Sequence, residues 1–438
     1  MASAAEDQRG RPRVVVVGAG FAGLRCARSL KRVAVDVVVI DRRNHHLFQP
    51  LLYQVATAAL SPADIAAPIR TLMRSQGNAR VVLGEVVGVD LDASKVELAS
   101  GASESFDYLV LASGADVSYF GNEASWSRLA PGLKTAADAL EIRERFLRAF
   151  ELAEASECPS ERAALLTFVV IGGGPTGVEI AGTMSEIARR SIPPDFARLK
   201  AGDCRVVLVE GGGSLLPSMP EELGDRAKRD LERLGVEVRL GVLAEKMDEG
   251  GVELSDGSSI EASSVFWAAG VSPSPLAGML GVECAKDGRV PVGRDLCPAG
   301  HPEVFAVGDL AEAEDVKGRS VPGIAPAAMQ MGGYAARRIE AEVRGGVPPK
   351  HEGRPGFRYR DKGMLATIGR GKAVGTIGPK RVAGVFAWLV WLFVHLFYLV
   401  GFRNRAVVLV QWAYAYVFWV RGARLIFGVS RGRGGDGG

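Results

Sequence analysis

The sequence predicts an α/β protein built on two copies of one strand–turn–helix–strand unit, followed by a helical C-terminal region. Three observations carry this. An apolar run, Arg13–Val17, ends in a Gly18-x-Gly20-x-x-Gly23 turn. A second run, Phe168–Ile171, ends in Gly172-x-Gly174-x-x-Gly177. The last sixty residues or so carry most of the tryptophan and a local excess of basic charge, unlike the balanced body before them. At 438 residues the chain exceeds one ordinary core.

In the first unit, Phe21–Leu30 reads as a helix and Val35–Ile40 as a buried strand closing on Asp41. The three glycines have separate tasks. The first makes the turn, the second admits a pyrophosphate close to the backbone, and the third lets helix and strand close together. The helix N-terminus favours an anion there, and an acid ending the next strand binds a ribose. Candidate cofactor-binding residues are therefore Gly18, Gly20, Phe21, Ala22, Gly23, Asp41 and Arg42. Val81–Leu98 alternates like a short hairpin. Tyr108–Ala112 is a further strand, ending at Ser113-Gly114, and Ala136 to Glu157 is an amphipathic helix.

The second unit repeats the scheme, which marks an internal duplication. Its candidates are Gly172, Gly174, Pro175, Thr176, Gly177, the strand-terminal acid Glu210, and Gly270 after the strand Val265–Ala269. Glu210 can accept from both hydroxyls of an unphosphorylated ribose and would repel a 2′-phosphate, which favours NADH over NADPH. Two such units imply two dinucleotides, one of them FAD and the other NAD(H). A later turn, Gly308-Asp309, can return to complete the first site, with Asp309 toward the ribityl chain. The expected domains are 11–120 with 286–345 for FAD, 163–285 for NADH, and 355–438 for the C-terminal region.

Net charge is only +3, so nothing global points to nucleic acid. Five cysteines without a C-x-x-C pair fit a reduced compartment and argue against a disulfide relay. Cys26 reads as core. The histidines lack metal-ligand spacing, so no metal site is expected. The polar stretch Met1–Pro12 has no apolar signal core and reads as a frayed tail.

The tail holds two apolar segments, about 382–402 and 406–424, with basic residues at every boundary. The first is long enough to span a bilayer. Basic charge at both of its ends, with aromatics throughout, favours helices lying in the interface. A buried pair of helices in a homodimer is the other reading, and the two are compatible.

Taken together, VVVGAGFAGL (Val15–Leu24), DRRNHHLFQPLLYQVAT (Asp41–Thr57), FDYLVLASGA (Phe106–Ala115), VVIGGGPTGVEIAG (Val169–Gly182), VFAVGDL (Val304–Leu310) and YRDKGMLATIG (Tyr359–Gly369) resemble the type II NADH:quinone oxidoreductases, the monotopic, non-proton-pumping NADH dehydrogenases. The resemblance runs from Val14 to Leu425. It implies non-covalent FAD in the first site, NADH in the second, a membrane quinone as acceptor, and a peripheral position on the cytoplasmic face of the cell membrane. It puts a flavin-proximal acid at Asp309. It puts a catalytic glutamate at Glu179, where nicotinamide and flavin meet, to orient nicotinamide or move protons. The family's quinone-side Ala-Gln-x-Ala-x-Gln corresponds to Ala325-Pro326-Ala327-Ala328-Met329-Gln330, so Gln330 matches and Pro326 departs, removing an N–H donor. That departure leaves open a flavoprotein reductase with a non-quinone acceptor, or a membrane-bound nucleotide-sensing protein of the same fold.

Overall fold

The computed structural model describes residues 10–346, 349–418 and 424–426. The chain divides into two compact units. The first comprises residues 1–47, 66–116 and 271–362, and the second residues 48–65, 117–270 and 363–438. Phe48–Ile65 thus groups with the second unit, although it lies inside the range expected for the first nucleotide domain.

The first unit contains β1 (Arg13–Val17), α1 (Phe21–Ser29), β2 (Asp36–Asp41), β3 (Ala79–Leu83) and β4 (Tyr108–Leu111). The second contains β5 (Thr167–Ile171), α2 (Pro175–Glu186), β6 (Arg205–Glu210), β7 (Val236–Leu240) and β8 (Ser264–Trp267). Later in the chain come β9 (Val304–Ala306) and α3 (Ala325–Gly345) of the first unit. The tail of the second unit adds β10 (Leu365–Gly369), β11 (Lys372–Ile377), β12 (Lys380–Ala383), α4 (Gly384–Tyr398) and α5 (Phe402–Phe418).

In the first unit the strands are parallel in the order β9-β4-β1-β2-β3. Val14, Val15 and Val16 are fully buried, as continuous apolar runs in a doubly covered parallel sheet must be. α3 crosses α1 closely: a Cβ on Gly332 would stand 2.1 Å from the Ala22 carbonyl oxygen. One expectation is corrected here. Residues 81–98 are not a single hairpin. Ala79–Leu83 is the fifth strand of the main sheet, and Val86–Asp90 pairs instead with Lys95–Leu98. Gly84 separates the two runs, and their continuous apolar alternation conceals the break.

In the second unit the parallel order is β7-β6-β5-β8. The helix expected at 136–157 spans Ala136–Ala155. It is opened by a capping box in which the Thr135 hydroxyl accepts from the Asp138 amide. The tail is corrected more substantially. The apolar run from Val382 is not one helix, because Lys380–Ala383 pairs with β11 as a strand. Gly384, at φ +73°, turns that strand into α4. A break at Leu399–Gly401 precedes α5, and the expected continuation to 424 falls largely outside the described residues, as does most of the N-terminal tail. Among the described residues, no helix is long and apolar enough to cross a membrane.

Candidate functional site

Parallel strands leave their carboxyl ends on one edge, and ligands of such sheets bind there. In the first unit that edge carries β1, β2 and β4. Gly18 has φ +96°, and a Cβ on it would lie 2.4 Å from the Ala112 carbonyl oxygen. A Cβ on Gly23 would lie 1.8 Å from the Gly18 oxygen. Gly20, which caps α1, has open space where its side chain would be. The Asp41 carboxylate accepts from the Ala19 amide at 2.6 Å and the Arg43 amide at 2.7 Å. Arg42 pairs with Asp116 at 2.8 Å.

The second crest repeats this arrangement. Gly172 has φ +111°, and its Cβ would strike the Ala268 and Ala269 backbone at 2.6 Å. Gly177 sits against the Gly172 oxygen, again 1.8 Å from a hypothetical Cβ, while Gly174 is open. Pro175 begins α2 with its φ preset for a helix, and Thr176 follows half-buried in the first turn. Glu210 accepts from the Gly173 amide and, at 2.6 Å, from the Gly212 amide. The long interval between Gly172 and Glu210 is taken up by a π-helical turn, Ile187–Ser191, and the loop after it, so β6 still reaches its place beside β5. In both copies the terminal acid therefore holds the first loop amide after the leading glycine. Each carboxylate oxygen keeps further acceptor capacity for ribose hydroxyls.

The first crest has features that suit a flavin dinucleotide. The Ser113 hydroxyl is buried with no hydrogen-bond partner, a donor and acceptor waiting at the sheet edge beside Gly114 (φ +71°). Gly308, at φ +76°, lies between the methyl positions of Ala22 and Ala328. The first turns of α1 and α3 therefore converge beside Asp309. His46 was missed by the sequence reading. It is buried, donates from Nδ1 to the Ala19 carbonyl at 2.9 Å, and meets the Phe21 ring edge-on. Burial lowers its pKa and so favours the neutral ring, and the bond to the Ala19 carbonyl places the proton on Nδ1. Its signal lay in the adjacent His45-His46 pair, which carried no metal spacing and so drew no role.

Glu179 lies on α2 and is buried. Burial raises its carboxyl to about 8, while the Thr367 amide, 3.4 Å from Oε1, and the Trp391 indole pull the other way. One turn and two turns further along the same face are Thr183 and Glu186. Glu186 accepts from the Arg370 amide at 2.8 Å. An open-mouthed cavity lies here in the second unit, lined by Tyr53, Gln54, Thr183, Glu186, Thr367 and Arg370 together with Trp388 and Trp412 of the tail helices. The Trp412 indole donates to Gln54 at 2.7 Å, and the Gln54 amide donates to the Tyr53 hydroxyl. None of these cavity residues was foreseen.

Gln330 is engaged differently from expectation. Its amide donates to the Pro326 and Arg360 carbonyls at 3.1 and 3.0 Å, and its Oε1 accepts from the Arg360 amide at 2.9 Å. Pro326 is in the first turn of α3, where an N–H has no helical partner, so its missing donor costs nothing there. All five cysteines are free, Cys26 is core with its thiol pushed up to about 12 by burial, and no metal-ligating cluster occurs among the described residues.

A family model for the pyridine nucleotide-disulphide oxidoreductases matches residues 12–332. Two type II NADH:quinone oxidoreductases of Mycobacterium tuberculosis, NdhA and Ndh, are each 44% identical to the chain, over 95% and 94% of it and 90% and 89% of their own length. An internal alternative NAD(P)H-ubiquinone oxidoreductase A1 of Arabidopsis thaliana is 30% identical over 93% of this chain and 84% of its own. In fold, the chain matches the NDH2 structure from Plasmodium falciparum in complex with NADH. The TM-score is 0.83 at 18% identity, covering 95% of this chain and all of that one.

Proposed function

The chain belongs to the type II NADH:quinone oxidoreductases, within the pyridine nucleotide-disulphide oxidoreductase family, and on that premise we propose how its residues divide the work. The overall reaction consumes NADH, one proton and a quinone, and yields NAD⁺ and quinol without proton pumping. FAD, held by the residues of the first crest, would supply the hydride-accepting and electron-releasing chemistry between the two substrates.

The first crest holds FAD. The α1 N-terminus receives the pyrophosphate over Gly20, Asp41 takes a ribose, and Ser113 and Asp309 serve the flavin half. His46 braces the phosphate loop from below. The second crest holds NADH, with its pyrophosphate over Gly174 and Thr176 and its adenosine ribose on Glu210. Glu210→Ala raises KM for NADH about tenfold and narrows the preference over NADPH. That ratio is the informative readout, because a merely loosened loop would weaken both nucleotides alike.

The single observation that carries the acceptor side is the cavity beside Glu179. It combines flat aromatic walls and hydrogen-bonding groups with a wall made by the tail helices, and Glu179, whose carboxyl burial raises to about 8, stands behind its lining residue Thr367. A quinone has the same division, a polar ring on an apolar tail. Glu179 supplies a proton from its carboxyl oxygen as quinol forms. Gln330 is assigned a bracing role, since both ends of its amide are tied to the Arg360 backbone.

Phe386, Leu389, Phe393 and Phe397 form one exposed stripe on α4, while Trp391 on the opposite face is buried. Such a stripe faces lipid more favourably than water, by up to ~2 kcal/mol per large side chain. At ~1.5 Å per residue the 15 residues of α4 reach about 22 Å, short of a ~30 Å bilayer core, which favours a helix lying on the surface. Free thiols, among them the exposed Cys158, accord with the cytoplasmic face.

Anaerobic mixing tests the function. NADH should bleach the flavin absorbance, and a short-chain quinone should restore it with turnover near or above ~10 per second, the middle of the enzyme range. Bleaching without restoration would move the acceptor elsewhere. Co-sedimentation with vesicles supports the bilayer contact. A stable dimer in which the stripe is protected, with no vesicle binding, supports a second copy there instead.

A further inference from the structure

Phe120 is an exposed aromatic in a strained place. Its side chain is 69% exposed, and its backbone has φ +53°, a region that a bulky L residue occupies only at an energetic cost. Its ring lies directly on Gly270, where a Cβ would stand 2.6 Å from the ring. It meets Trp267 at 6.3 Å, in T-shaped geometry. The Ser118 amide, two residues earlier, donates to the Gly270 carbonyl at 3.1 Å, so the segment is tied to the end of β8. Neither exposure nor strain helps the fold by itself, and strain of this kind persists where the surroundings impose it.

The position of Gly270 gives the residue a meaning. In the order β7-β6-β5-β8, the phosphate turn ends β5, the ribose acid Glu210 ends β6, and Gly270 follows β8 on the other side of β5. A dinucleotide with its adenosine on Glu210 and its pyrophosphate over Gly174 must lead its other half toward the end of β8. Resting on the assignment of NADH to this crest, we propose that Phe120 is a positioning residue that covers the nicotinamide–ribose half of the bound NADH. Gly270 lacks a side chain because the ring rests on its backbone.

The decisive variant is Phe120→Gly, because it separates function from folding. Glycine accepts φ +53° without strain, so the melting temperature should equal or exceed that of the parent protein. Removing an apolar cover should weaken NADH binding about tenfold, from the area the ring would bury. Three measurements on the full-length holoprotein decide the matter. They are the melting temperature, NADH affinity by fluorescence titration, and the NADH dependence of flavin bleaching. Phe120→Tyr should retain affinity near that of the parent. Weaker NADH binding without loss of stability supports the proposal. Parent-like NADH affinity in Phe120→Gly overturns it, as does a fall in melting temperature matched by an equal loss in every substrate parameter. Failure of NADH to bleach the parent protein would instead overturn the assignment of NADH to this crest.

Discussion

Glu179→Gln will leave reduction of the flavin by NADH close to the parent rate and will slow the quinone-dependent half-reaction about a hundredfold, the usual contribution of a positioned general acid. Glutamine reproduces the size and neutrality of the protonated carboxyl but has no proton to give. Loss of activity in this variant therefore reports proton supply and not packing. The parent should lose quinone reduction as pH rises through about 8, where the buried carboxyl gives up its proton, and the variant should be flat across that window. Stability moves in a definite direction. The folded carboxyl titrates well above its ordinary value of 4.5, so between 4.5 and about 8 the native state holds a proton that the unfolded chain releases. The contribution is fully present below 4.5 and is lost as pH climbs to about 8. Glu179→Gln removes this loss, and its melting temperature relative to the parent should rise across the same interval. Unchanged quinone reduction with a parent-like pH profile would end the proton-donor assignment.

The paired variants Gly23→Ala and Gly177→Ala should have the other large effects, and they should differ in kind. Each places a methyl carbon 1.8 Å from a carbonyl oxygen in its own turn, so the helix must withdraw from the strand it packs on. Gly23→Ala should purify colourless, without FAD. Gly177→Ala should keep its flavin and lose more than about a hundredfold in its reduction by NADH, since a displacement near 1 Å in a binding loop suffices for that. Absorbance at the flavin band and stopped-flow bleaching read the two outcomes. A yellow Gly23→Ala protein, or a Gly177→Ala protein that reacts with NADH like the parent, would contradict the assignment of these crests.

The two crests were legible because their chemistry is local. A turn that needs positive φ, an open helix start and a close helix–strand contact each demand glycine at a fixed offset, and Gly18, Gly23, Gly172 and Gly177 meet those demands. The strand-terminal acids were legible for the same reason, and the long interval before Glu210 did not obscure it because the π-helical turn and the loop after it take up the extra residues. The cavity proposed for the acceptor was not legible. It joins Gln54 to Trp412 across most of the sequence, and no spacing rule relates them. The start of α4 was misread because Val382 and Ala383 are apolar in a strand and in a helix alike. Only the pairing with β11 and the backbone of Gly384 separate the two. Pro326 looked like a departure that threatened the chemistry, yet at a helix start its ring is compatible with the backbone it needs.

The tail helices wall the cavity proposed for the acceptor on one face and present phenylalanines on the other, and a bilayer seating proposed on that stripe has a kinetic consequence. An enzyme seated that way draws its second substrate from a two-dimensional solvent. Its saturation should follow the mole fraction of quinone in the lipid and not the bulk concentration. Adding inert lipid at constant total quinone should dilute the substrate and slow turnover with no inhibitor present. Detergent micelles act as the same kind of solvent, so an apparent KM measured in them is a property of the amphiphile as much as of the protein.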